Sequence, residues 1–109
     1  MLTEQPILIT SIQAAANLAK NLFIGFDGDI CSAGIKAFGV SNAETDSGEQ
    51  MPVCVKGIAL ITTGGALSVG DKIESDGDGK AIEATAGEVN GFALDASSGA
   101  DELIRVLLV

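Results

Sequence analysis

The chain has 109 residues, a net charge of −9 and no histidine, tryptophan or tyrosine. Its length makes one domain, residues 1–109, that removes about 65% of its unfolded surface on folding. The charge argues against nucleic acid and against an anionic membrane surface, since both recruit clustered cations and the six basic residues are scattered along the chain. Fourteen glycines in a Val, Ile, Leu and Ala background point to many short strands joined by tight turns.

Met1 to Pro6 reads as a polar, flexible arm, ahead of a core spanning residues 7–109. Ile7-Leu8-Ile9-Thr10 reads as the first strand, with Pro6 suited to its edge. Gln13 to Lys20 has the propensity for a turn or two of helix but is too short to hold one without packing, so the chain carries at most one short helix. Leu22–Phe26 and Ile35–Val40 are the next strands, with Asp27-Gly28 as a hairpin signal after the first. Pro52–Ile61 is the longest strand, and Gly57 inside it marks a bulge or bend. Leu67–Val69, Asp71–Glu74, Ala81–Ala84, Gly91–Asp95 and Leu103–Leu108 complete a set of about eight short strands. The expected fold is all-β, a small antiparallel barrel or sandwich; the strand pattern is common to both. The run Leu103-Ile104-Arg105-Val106-Leu107-Leu108-Val109 is apolar on both alternations except at Arg105, and is expected to be buried on both faces, in the sheet or at a subunit contact.

Part of the chain is written twice. Gly39-Val40-Ser41-Asn42-Ala43, a loop to Gly48, then Val53-Cys54-Val55 is echoed by Gly91-Phe92-Ala93-Leu94-Asp95-Ala96, a loop to Gly99, then Ile104-Arg105-Val106. Each copy follows an Asp-Gly-Asp turn, Asp27-Gly28-Asp29 and Asp76-Gly77-Asp78. The pattern is a duplicated hairpin scaffold. A partner is therefore expected at the segments outside the copies, chiefly the N-terminal arm.

Catalytic signals are missing. No histidine base exists, no Gly-x-Ser-x-Gly elbow appears, and no lysine stands at Ser-x-x-Lys spacing. Gly64-Gly65 lacks the helix and lysine of a phosphate-binding loop. The acidic turns place carboxylates close together, but Lys80 stands where a calcium loop needs an oxygen ligand, so turn chemistry explains them better. Cys31 and Cys54 have neither metal-site spacing nor a signal peptide ahead of them, and read as free, partly buried thiols in a cytosolic product. No apolar run reaches the roughly 20 residues of a membrane helix.

The order of these pieces resembles the small head decoration, or capsid cement, proteins of tailed bacteriophages. The residues that carry the resemblance are Ala14-Ala15-Ala16-Asn17-Leu18, Phe23-Ile24-Gly25-Phe26-Asp27-Gly28, Gly39-Val40-Ser41, Val69-Gly70-Asp71-Lys72-Ile73, Gly79-Lys80-Ala81, Ala84-Thr85-Ala86-Gly87-Glu88, Gly91 to Ala96 and Asp101 to Leu108. The resemblance implies a non-enzymatic virion protein without a cofactor. It implies that the protein, made in the host bacterial cytoplasm, binds the major capsid protein on the outside of an assembled head and stabilises it. It also implies a homo-oligomer, a trimer ahead of a dimer. No residue can be carried over from the family as a known site. From the residues themselves, the expected capsid contact is Leu2, Thr3, Glu4, Gln5, Pro6, Ile7, Leu8 and Ile9, which could add a strand to a capsid sheet edge; an edge strand of the protein's own barrel is the other reading. Two other functions fit less of the chain. One is a small ligand- or glycan-binding β module, which the absence of Trp and Tyr disfavours; the other is a lipoyl- or biotinyl-type carrier modified at Lys80.

Overall fold

A computed structural model describes residues 2–109; Met1, counted in the arm, lies outside them. The described residues form eight strands and no helix: β1 (Gln5–Gln13), β2 (Phe23–Ile24), β3 (Gly39–Ser41), β4 (Gln50–Gly64), β5 (Lys72–Ser75), β6 (Ala81–Glu83), β7 (Gly91–Ala93) and β8 (Ala100–Leu108). The all-β reading stands, and the choice between barrel and sandwich falls to the barrel. β4, β8, β7, β5 and β6 pair in turn, and β6 returns to β4 through Thr63↔Ala81, closing a five-strand ring. Of the stretch Gln13 to Lys20, Gln13 ends β1 and Ala14 to Lys20 is an ordered loop tied down by the bridge Leu18↔Thr45.

The echo seen in the hairpins extends over nearly the whole chain. Phe23, Val40, Cys54 and Ile9 line up across β2, β3, β4 and β1, and Lys72, Phe92, Leu107 and Ile58 line up in the same way across β5, β7, β8 and β4. The loops repeat with the strands. Leu18 and Thr45 exchange two backbone bonds of 2.8 and 3.0 Å, and Leu67 and Ser97 exchange two of 3.1 and 2.9 Å. Asn21 N–H donates to Ser41 O at 2.9 Å as Gly70 N–H donates to Ala93 O at 2.7 Å, and both donors have positive φ, 66° and 88°. A Cβ on Gly39 would lie 2.4 Å from the Cys54 carbonyl oxygen, and one on Gly91 would lie 2.6 Å from that of Leu107, so both hairpins need glycine for the same close approach. The first repeat is therefore residues 9–55 and the second 58–108. β1, which the sequence placed outside the duplication, is the first repeat's counterpart of the second half of β4.

β4 serves both repeats, and Gly57 is where it changes allegiance. Its φ is +103°, and a Cβ there would meet Gln5 O at 2.6 Å. The bend expected at this glycine is present, and it faces irregular register in β1 between Pro6 and Ile9. Gly57→Ala is expected to lower stability by about 2 kcal/mol through left-handed strain and the clash with β1. Urea denaturation would measure it.

Two apolar cores follow the two repeats. Ala14, Leu18, Ile24, Met51 and Val53 fill the first, with Ile12, Ile30, Phe38 and Val55 half-buried around them. Ala59, Ile61, Leu67, Ile73, Ala81, Ala93, Ile104 and Val106 fill the second, and this core also takes in Phe23, Cys31, Ala37, Val40 and Cys54 from the first repeat. Phe23, Val40 and Cys54 lie on the strand face opposite Val53 and Ile24, so the outside of the first repeat helps close the second. Hydrogen bonds stitch the same junction: Asn90 accepts from Ala37 N–H at 2.8 Å and donates to Ile35 O at 3.2 Å.

Some expected elements are shaped differently. Ile35–Val40 is a strand only from Gly39, because residues 31–37 leave the sheet to pack on the second repeat. The reversal after β2 closes through Ile24↔Ile30 instead of returning directly to that strand, and Leu67–Val69 shrinks to a single bridge. Within one chain the C-terminal run is buried on one face only. β8 is paired on both edges, yet as a barrel strand it buries Ile104 and Val106 inward and leaves Leu103 and Leu107 40% and 43% exposed outward.

Candidate interaction surface

The residues expected to touch a partner fall on one strip. Leu2, Thr3 and Glu4 precede β1, and Gln5, Pro6, Ile7, Leu8 and Ile9 lie within it, so the strand starts inside the stretch read as an arm. One edge of β1 bonds to β4 along Gln5↔Ile58 to Gln13↔Gln50. Among the described residues no strand pairs with its other edge along residues 5–12.

β1 has no charged residue in a protein of net charge −9. Three of its apolar side chains face water: Ile7 is 83% exposed, Leu8 51% and Ile9 41%. The register explains Ile7. Pro6 pairs with Gly57 and Leu8 with Lys56, so Ile7 has no cross-strand partner and is bulged outward. Edge strands that must stay unpaired usually carry charge, proline or bulges. This one has the proline and the register irregularity at its start but leaves Ile9 to Ile12 regular, uncharged and open. It can accept another strand.

A second apolar area lies on the outer face of β7, β8 and β4, where Leu107 sits between Phe92 and Ile58 and Leu103 lies further along β8. The sequence reading allowed for such a face, since it expected the same run to be buried on both faces in the sheet or at a subunit contact. Arg105 stands on this face and is held by Asp95, with Nε at 3.0 Å from Oδ2 and Nη2 at 2.9 Å from Oδ1. This forked pairing keeps the Asp95 carboxyl below its ordinary range, and hydrogen bonds from Ser98 do the same for Glu102. Groups with depressed folded-state pKa values stabilise the fold above the unfolded carboxylate pKa of about 4 and lose that contribution as pH falls through their folded values. Asp95→Asn should therefore lower the urea midpoint at pH 7 and converge with the parent protein by about pH 2.

The remaining candidates are structural. Asp27 and Asp76 use Oδ1 to accept the N–H groups of Asp29 and Asp78 at 3.1 and 2.9 Å, which accounts for both acidic turns. Lys80 is paired with Asp101 at 2.6 Å at the start of β6, so it is not presented at a free hairpin tip. Cys31 and Cys54 are free and buried, and burial pushes both thiols up, away from reactivity. Two open hollows of about 270 and 260 Å³ are lined by residues between Asn17 and Asp46 and between Gly25 and Lys36; in the first the Thr45 hydroxyl donates to the Ala43 carbonyl at 3.2 Å, and in the second the Cys31 thiol donates to the Ile35 carbonyl at 3.2 Å.

The fold has a close parallel among solved structures. The crystal structure of the head fiber gp8.5 N base of bacteriophage phi29 superposes with a TM-score of 0.73, covering 94% of this chain and 93% of that one at 19% identity. No curated protein matches the sequence. The profile of the family described as phage cement protein matches residues 2–108. With essentially its whole length inside that match, the chain belongs to the phage cement protein family and is a structural component of the virion.

Proposed function

We propose that this protein binds the outer surface of an assembled phage head as a decoration subunit and stabilises the shell. Its partner is the major capsid protein, and it works as a homo-oligomer, a trimer ahead of a dimer. The observation that carries this reading is β1: an uncharged strand, bonded on one edge only, with Ile7, Leu8 and Ile9 turned to solvent. Strand addition draws affinity from the backbone and specificity from alternate side chains, which suits a segment without a chemical motif. Burying one such Leu or Ile adds about 1.5–3 kcal/mol. Family membership supports the same reading, since cement is a structural task that needs surfaces rather than a reactive group.

The contact is assigned to residues 2–9. Deleting residues 2–6 should weaken co-sedimentation with heads that lack the protein, while circular dichroism shows an intact β fold. Undiminished binding by the folded, shortened protein would remove the contact from this strip.

A further inference from the structure

We infer that a second copy of this chain docks head to tail on the outer face formed by Ile58, Phe92 and Leu107, presenting to it the open end of its first repeat at Phe26 and Phe38. This rests on the homo-oligomeric part of the function proposed above.

The duplication carries the argument. Within one chain, three of the four members of the first repeat's outer row, Phe23, Val40 and Cys54, are fully buried because the second repeat closes over them, and the fourth, Ile9, is 41% exposed. The second repeat has the same row in the same pairings, made of Lys72, Phe92, Leu107 and Ile58, and among the described residues no segment closes over it in the way the second repeat closes over the first. Three of its four members are apolar, and Leu107 is 43% exposed. The chain thus contains one example of the contact and one unused copy of its receiving surface.

The complementary surface is also left over. Asn90 of the second repeat grips the first through Ala37 and Ile35, and the residue equivalent to Asn90 is Phe38, since Phe38 N–H donates to Ile24 O as Asn90 N–H donates to Ile73 O, both at 2.7 Å. Phe38 is half-buried and meets Phe26, which is 67% exposed, with ring centroids 5.5 Å apart. An aromatic pair stands at the first repeat's open end where the second repeat uses an amide. Repeating the internal contact between chains gives a heterologous interface, the kind that closes into rings.

The test is the solution mass without capsids. The parent protein should exceed its 11.0 kDa monomer mass. Leu107→Glu and Phe26→Glu should each weaken self-association at least about tenfold, as removal of one buried apolar anchor does. Val69→Glu, also exposed but on neither surface, should keep the parent mass. Leu107→Gln repeats the first experiment should the glutamate disturb folding, which circular dichroism reports. An equimolar mixture of Leu107→Glu and Phe26→Glu should form dimers, because each retains the surface the other lacks. A monomeric parent, an unchanged mass for both Leu107 variants, or a mixture that stays monomeric would overturn the inference. A monomeric parent whose head binding falls with Leu107→Glu would assign that face to the capsid instead. Loss of head binding by variants of β1, with assembly intact, bears on the proposed function alone.

Discussion

Phe23→Ala should lower stability by about 3–5 kcal/mol, while Lys72→Ala at the equivalent place in the second repeat should change it by no more than about 0.5 kcal/mol. The two residues occupy the same node of the same pairing pattern. Phe23 is wholly buried where the first repeat closes the second, and Lys72 is exposed. Truncating Phe23 opens a cavity among Cys31, Val40, Ile61 and their neighbours at the junction of the repeats, where both sides are held by long-range hydrogen bonds and cannot easily collapse. A loss of that size rivals the whole stability of about 5–15 kcal/mol usual for a small domain. The variant should therefore unfold both repeats in one transition at a much lower urea concentration. Equal effects at the two positions would contradict the closure of one repeat by the other.

The second large effect concerns binding. Ile7→Glu combined with Leu8→Glu should reduce affinity for heads lacking the protein by about a hundredfold or more, since two apolar side chains worth about 1.5–3 kcal/mol each are lost and two carboxylates must be desolvated. Stability should change little, because both side chains already face water and β1 keeps its bonds to β4. Binding isotherms and urea curves on the same sample separate the two. A folded double variant that binds as the parent does would move the capsid contact away from β1.

The parts of the fold legible in the sequence are those fixed by local chemistry. Asp-Gly-Asp turns, the glycines that open β3 and β7, and the long apolar run of β4 with its bend at Gly57 all act within a few residues. What stayed hidden depends on distant partners. Residues 35–37 read as part of a strand because Ile35 and Ala37 are apolar, yet Asn90, far along the chain, captures that backbone. The duplication showed only where side chains repeat. Elsewhere it is written in backbone bonds: Ala14-Ala15-Ala16-Asn17-Leu18 matches Thr63-Gly64-Gly65-Ala66-Leu67 in path, but only the leucines agree. The exposure of the proposed contact strip was only partly legible. Ile7-Leu8-Ile9 reads equally well as an edge strand of the protein's own barrel, and only the open edge of β1 and the bulge at Ile7 show these side chains turned outward. The outer face of β8 was left undecided because a strand apolar on both alternations suits burial in a sheet or at a subunit contact alike, whereas a barrel strand within one chain has one face inside and one outside.

The most direct measurement is made on heads prepared without the protein. Added back, it should co-sediment to saturation and raise the temperature at which the heads release DNA. The absence of co-sedimentation at about 10 μM, where even a contact of about −7 kcal/mol registers, or binding that leaves the release temperature unchanged, would contradict a stabilising decoration subunit.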